Sequence, residues 1–113
     1  MAFDPSKSRV SPNTLADFLR SPTTMDLGDV PGIGPAAKDA LVGHGITTQY
    51  QLISKYLYFK GSQVDEHTHM NLFYNWFKEI RGYPMGYRAG TVHAIAEKAN
   101  LYFPGLYNSS EYL

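Results

Sequence analysis

Val30-Pro31-Gly32-Ile33-Gly34-Pro35-Ala36-Ala37 sets two glycines one residue apart, directly before a proline and two alanines. A glycine has no Cβ, so at positions 32 and 34 the main chain can approach a ligand closely. Proline at position 35 suits the first position of a helix, because its fixed φ is already helical and its missing N–H is not needed there. The stretch predicts a tight turn and then a helix through Ala36, Ala37, Ala40 and Leu41. Gly43 and Gly45 bracket the end of that helix, with Gly45 as the C-terminal stop. A short helical turn around Asp26–Val30 precedes the glycines. The segment therefore reads as a helix-hairpin-helix motif centred on residues 30–34.

The chemistry of such a turn is anion capture. The helix starting near Pro35 presents N–H groups without intrahelical partners, together with its positive dipole end. Pro35 offers no N–H, so the donors are the amides of Gly32, Gly34, Ala36 and Ala37. Ile33 fills the groove between the two helical segments and stiffens the turn. Lys38, one turn on, adds a positive charge, while Asp39 beside it faces elsewhere. A phosphate held by backbone amides is held without regard to base sequence. The nucleotide-binding glycine loops are excluded, because no strand precedes the turn and no Gly-Lys-Ser/Thr follows it.

The rest of the chain reads as further helices. Ser11-Pro12-Asn13-Thr14 is a helix start, with Ser11 capping and Pro12 in the first turn. Leu15, Phe18 and Leu19 form its apolar face, and Ser21-Pro22 ends it. Thr47 or Thr48 caps a third helix bearing Leu52, Ile53, Tyr56 and Leu57. Residues 63–67 read as a polar loop before a fourth helix over 68–80, with Leu72, Phe73, Trp76, Phe77 and Ile80 at helical spacing. A fifth helix runs over 88–101 with Val92, Ile95, Ala96 and Ala99 inward. The expectation is an all-α, compact five-helix domain over 11–103. A flexible N-terminal arm over 1–10 and a tail over 104–113 flank it.

With 113 residues and 43% hydrophobic composition, the chain is long enough for one self-supporting core. The absence of cysteine excludes disulfides, thiolate metal sites and a cysteine nucleophile. No apolar run reaches the length of a membrane span. Ten basic residues offset ten acidic ones, which argues against nucleic-acid binding through a broad positive field. It leaves open binding through amides and a few local cations.

Three pieces of sequence together resemble the barrier-to-autointegration factor family. They are Asp17-Phe18-Leu19-Arg20-Ser21-Pro22, Val30-Pro31-Gly32-Ile33-Gly34 and Phe73-Tyr74-Asn75-Trp76-Phe77-Lys78. The resemblance spans about residues 14–103 and implies a homodimer that bridges two DNA duplexes without sequence preference. It implies LEM-domain proteins as partners, and a location in chromatin and the nucleus with some cytosol. Carried over by position, it makes Gly32, Ile33 and Gly34 the DNA-binding turn. Flanking contacts come from Asn13 and Thr14 at the start of the first helix and from Met85 to Arg88 before the last. Where the family has a lysine pair after the hairpin this chain has Asp39-Ala40. Gly86 replaces a further lysine, leaving Arg88 as its substitute. With Ala36 and Lys38 from the turn itself, the candidate DNA-binding residues are Asn13, Thr14, Gly32, Ile33, Gly34, Ala36, Lys38 and Arg88.

Other groupings read as non-catalytic. Glu66-His67-Thr68-His69 holds two histidines, but residues two apart do not share a helix face and no second ligand cluster accompanies them. It is read as a solvated loop, with no metal and no cofactor. No serine, histidine and carboxylate arrangement is suggested, so no enzyme is expected. The aromatic excess at Tyr58, Phe59 and Tyr74 suits a dimer or partner surface. The alternative to a DNA binder is a helical protein-interaction module that keeps the hairpin with weak or no DNA binding; neutral net charge favours it. An accessory domain of a DNA-processing complex is a further rival. Gly32→Glu is expected to abolish DNA retention with helical content intact.

Overall fold

The computed structural model describes residues 3–112; Met1 and Ala2 of the expected arm and Leu113 of the expected tail lie outside the described residues. The described residues are all-helical, without strands. Five α-helices follow in order: α1 (Pro12–Arg20), α2 (Pro35–Gly43), α3 (Gln49–Tyr58), α4 (Glu66–Glu79) and α5 (Arg88–Tyr102). Short 3-10 turns cover Pro5–Lys7, Leu27–Asp29, Met85–Tyr87 and Ser109–Tyr112. No helix among the described residues is long and apolar enough to cross a membrane.

Local chemistry explains the boundaries. The Ser11 side chain accepts from the Thr14 amide at the start of α1. Thr48, not Thr47, caps α3, and Gln51 reaches back to complete a capping box. Gly45 adopts φ +91° just beyond α2, the left-handed conformation that ends a helix. α4 begins at Glu66, two residues before the expected start, because the Asp65 carboxylate accepts from the Thr68 amide at 2.8 Å. Glu66 and His67 are therefore helical rather than loop, and His69, expected in a solvated loop, is fully buried.

α5 is the central helix. Ala89, Gly90, Thr91, Val92, Ala94, Ile95, Ala96, Lys98 and Ala99 are all buried, which places contacts on nearly every side of it. Its small residues let α1, α3 and α4 pack against it. A second layer of aromatic rings lies on α4, where Phe73 stacks on Trp76 at 5.8 Å and meets Phe77 edge-on at 5.0 Å. Lys98 is buried within this core. Its ammonium donates to the carbonyls of Phe18 (2.8 Å) and Ser21, and sits 4.7 Å from the centre of the Phe18 ring. One side chain of α5 thus closes the C-terminal end of α1.

The two ends depart from the expectation of loose segments. Phe3 is 3% exposed, packs edge-on against Tyr74 and Tyr112, and donates its amide to Asn71 Oδ1 at 2.8 Å. Residues 8–10 lie along α5: a Cβ on Gly90 would stand 3.1 Å from Val10 Cγ2, so glycine there makes the seat. At the other end Tyr107 is buried, and Asn100 Oδ1 accepts from the amides of Gly105 and Tyr107. Phe3 and Val10 at one end, and Tyr107 and Tyr112 at the other, seat these polar segments on the core. Because Phe3 meets Tyr74 and Tyr112, far along the chain, periodicity does not reveal its burial.

Candidate functional site

The glycine turn follows the Leu27–Asp29 turn and leads into α2. The element before it is one turn of 3-10 helix, capped by Asp26, whose carboxylate accepts from the Gly28 amide at 2.8 Å. Leu27, Val30 and Ile33 are buried and anchor the loop from below. The Ile33 amide donates to the Val30 carbonyl at 3.1 Å, so that amide is spent inside the turn. Gly32 takes φ +89°, a conformation reserved in practice for glycine. Gly34 occupies the N-cap of α2 at φ −90° with no side chain capping the helix.

Among the described residues, no protein acceptor takes the amides of Gly32, Gly34, Ala36 or Ala37. Gly34 and Ala36 are exposed and Gly32 is half-buried. The start of α2 therefore presents the unclaimed amides of Gly34 and Ala36 at exposed residues, where the helix dipole is positive, while Ala37 is buried. The Gly34 carbonyl, in contrast, is used within the helix and accepts from Lys38 at 2.9 Å.

These atoms border a cleft of about 880 Å³ between α1, the turn and the residues Pro84 and Tyr87 that precede α5. Thr14, Gly32, Ile33, Gly34 and Ala36, five of the sequence-derived candidates, line it. Asn13, Lys38 and Arg88 do not. Lys38 spends part of its charge on Asp26, with Nζ 3.4 Å from Oδ1. That contact, after the Gly28 amide, also holds the Asp26 carboxyl below the usual carboxylate range. Arg88 is half-buried, with its Nε shielded and unpartnered among the described residues. Its role as a direct contact therefore does not follow from the geometry. The cleft also contains two carboxylates. Asp17 is paired with Arg20 at 2.5 Å, and Asp29 accepts from Thr24 Oγ1 at 3.0 Å.

A second, smaller cavity of about 240 Å³ adjoins the first. Thr14, Pro31, Gly32 and Tyr87 line both. Arg9, Val10, Ser11, Gly86 and Gly90 complete its wall, and the pairing of Arg9 with Gly86 is not legible in the sequence, because only packing on α5 brings residue 9 to residue 86. The turn is braced from behind. Thr91 Oγ1 donates to the Tyr87 carbonyl at 3.0 Å and accepts from the Tyr83 hydroxyl at 2.6 Å. Burial pushes the Tyr83 phenol up to about 12, so it stays a neutral donor in this brace.

No cluster of three or more histidine, aspartate or glutamate side chains is placed to hold a metal ion among the described residues. His67 is exposed and His69 is buried, on different faces of α4. Of the aromatic residues read as an interface, Tyr58 is exposed, whereas Phe59 and Tyr74 are half-buried and packed against the core. No protein-family model, curated protein or solved structure matches the chain.

Proposed function

We propose that the chain binds duplex DNA without sequence preference, gripping the phosphate backbone at the Gly32–Gly34 turn and the start of α2. The observation that carries this reading is the set of unclaimed amides at Gly32, Gly34 and Ala36, bordering an open cleft. Anions are the ligands such donors select, and a polyanion is the form suited to a turn built of main chain. The turn and the α2 start act together as a helix-hairpin-helix in this reading. The resemblance of three sequence segments to barrier-to-autointegration factor supports it. That resemblance extends the proposal to a homodimer bridging two duplexes in chromatin, with LEM-domain proteins as partners.

The test is a gel shift of the purified chain with random-sequence duplexes at two salt concentrations. Binding that falls steeply with salt, and is lost in Gly34→Glu, supports the reading. A chain that retains no duplex at low salt refutes it. Sedimentation over a range of concentrations tests the dimer, and a monomer throughout refutes that part.

A second reading has its own support. Net charge is zero, and the cleft carries the carboxylates of Asp17 and Asp29. Leu101, Tyr102 and Phe103 stand more than half exposed in a row at the end of α5. These features suit a helical protein-interaction module, which the same gel shift separates from a DNA binder by its indifference to duplex.

A further inference from the structure

We infer that the N-terminal segment is a strap that seats on the Gly86–Gly90 face at the start of α5 and delivers Arg9 as the phosphate-binding cation beside the glycine turn. The inference rests on the DNA reading above and names a residue that reading did not contain.

The geometry is built from three contacts. Phe3 pins the beginning of the strap in the core between Tyr74 and Tyr112. Val10 occupies the space left by the missing Cβ of Gly90, and Ser8 Oγ lies 3.3 Å from His93 Nδ1 on the same helix. Between these holds, the Arg9 guanidinium lies over Gly86, where a Cβ would stand 3.2 Å from Nη1 and 3.3 Å from Cζ. Two glycines four residues apart thus form a track on one face of the Met85–Tyr87 turn and α5, and the strap lies in it.

Arg9 is placed to act outward. It is exposed, and no carboxylate among the described residues pairs with it. Lys38 and Arg20, by comparison, are each paired with an aspartate. Arg9 lines the small cavity together with Thr14 and Gly32, and Gly32 also borders the main cleft. A strand of phosphates leaving the turn amides across this shared wall meets an arginine whose planar fork suits phosphate oxygens. The arrangement supplies locally the positive charge that the neutral chain lacks as a whole.

The experiment is a fluorescence-anisotropy titration of a random-sequence duplex with the full chain between 50 and 200 mM salt. Wild type is compared with Arg9→Gln, Arg9→Lys and Gly90→Val. Removing one phosphate contact lowers the magnitude of the log–log salt slope by about 0.9, which corresponds to roughly fivefold weaker binding near 0.15 M salt. Arg9→Gln should show that loss with an unchanged melting temperature, because the side chain is exposed. Arg9→Lys should keep the slope. Gly90→Val, which displaces the strap at Val10, should reproduce the slope of Arg9→Gln even though Arg9 is still present. Wild type that binds while Arg9→Gln keeps its slope overturns the inference and leaves the DNA reading standing. Wild type that does not bind overturns the DNA reading itself.

Discussion

Thr91 stands directly behind Gly32. A Cβ built on Gly32 would lie 2.9 Å from Thr91 Oγ1 and 3.3 Å from its amide nitrogen, and Gly32 already has φ +89°. The turn is therefore held against α5 at a point where no side chain fits. Gly34, two residues on, has nothing within 4 Å of the same construction and an ordinary negative φ.

This difference decides which glycine tests function. From the sequence alone, Gly32→Glu removes DNA binding and leaves the helices intact, but the backbone and Thr91 make that substitution a structural one. Gly32→Ala should cost about 1–3 kcal/mol, read as a lower melting temperature. Gly34→Glu should leave the melting temperature within a few degrees and place a negative charge at the unclaimed amides. Thermal melts of both variants beside a gel shift check the pair. Equal destabilisation by the two would show that the turn is not braced as described.

Lys98 should matter for stability far more than a surface lysine. Its ammonium satisfies the carbonyls of Phe18 and Ser21 where α1 ends, inside the protein. Lys98→Met keeps the aliphatic volume and removes the donor. The carbonyls left without it should cost about 1–3 kcal/mol, seen in chemical denaturation. A variant as stable as wild type would mean that water or another donor replaces the ammonium without loss.

Stability should decline as pH falls from about 7.5 to 5.5. His69 is fully buried, and Nε2 lies 2.7 Å from the Tyr56 carbonyl, so Nε2 carries the proton and Nδ1 is bare, with no partner among the described residues. Burial holds its pKa below the ordinary 6.5, outweighing the bond to Tyr56. Burial lowers His93 in the same sense. Below 6.5 the unfolded chain takes up protons that the folded one refuses, so stability is fully present above that pH and is lost below it. The slope is at most about 1.4 kcal/mol per pH unit for His69. Glu97, whose carboxyl burial raises, acts in the opposite sense at more acidic pH. His69→Gln should flatten the dependence in urea titrations at pH 7.5 and 5.5; an unchanged dependence would assign it to other groups.

Phe3 should govern the N-terminal strap rather than the whole fold. Phe3→Ala removes the anchor between Tyr74 and Tyr112. The expected result is fast amide exchange and proteolytic cleavage confined to residues 3–10, with α4 and α5 still protected. Protection unchanged over those residues would show that Val10 and Ser8 hold the strap without Phe3.

The helices were legible because their signals are local. Ser11-Pro12 and Gly34-Pro35 mark starts, Gly45 marks an end, and the spacing of Phe73, Trp76, Phe77 and Ile80 marks a buried face. α4 starts two residues earlier than its apolar spacing indicates, because Asp65 carries no apolar signal, only a capping carboxylate. The turn itself was also readable, since glycine and proline carry their backbone preferences in any context. Gly32, Ile33, Gly34 and Ala36 border the main cleft for that reason; Thr14 also borders it, from α1, while Asn13, Lys38 and Arg88 lie outside it.

By itself, the sequence determined an all-helical chain with a glycine corner ahead of α2, since propensity, capping and periodicity act over a few residues. Tertiary structure alone decided that Asp26 takes up part of the Lys38 charge, that Lys98 closes α1, that Phe3 and Tyr112 join the two ends, and that Arg9 lies over Gly86. Each of these depends on contacts between residues separated in the chain, and such contacts are selected by tertiary packing rather than by any local preference of the residues that make them.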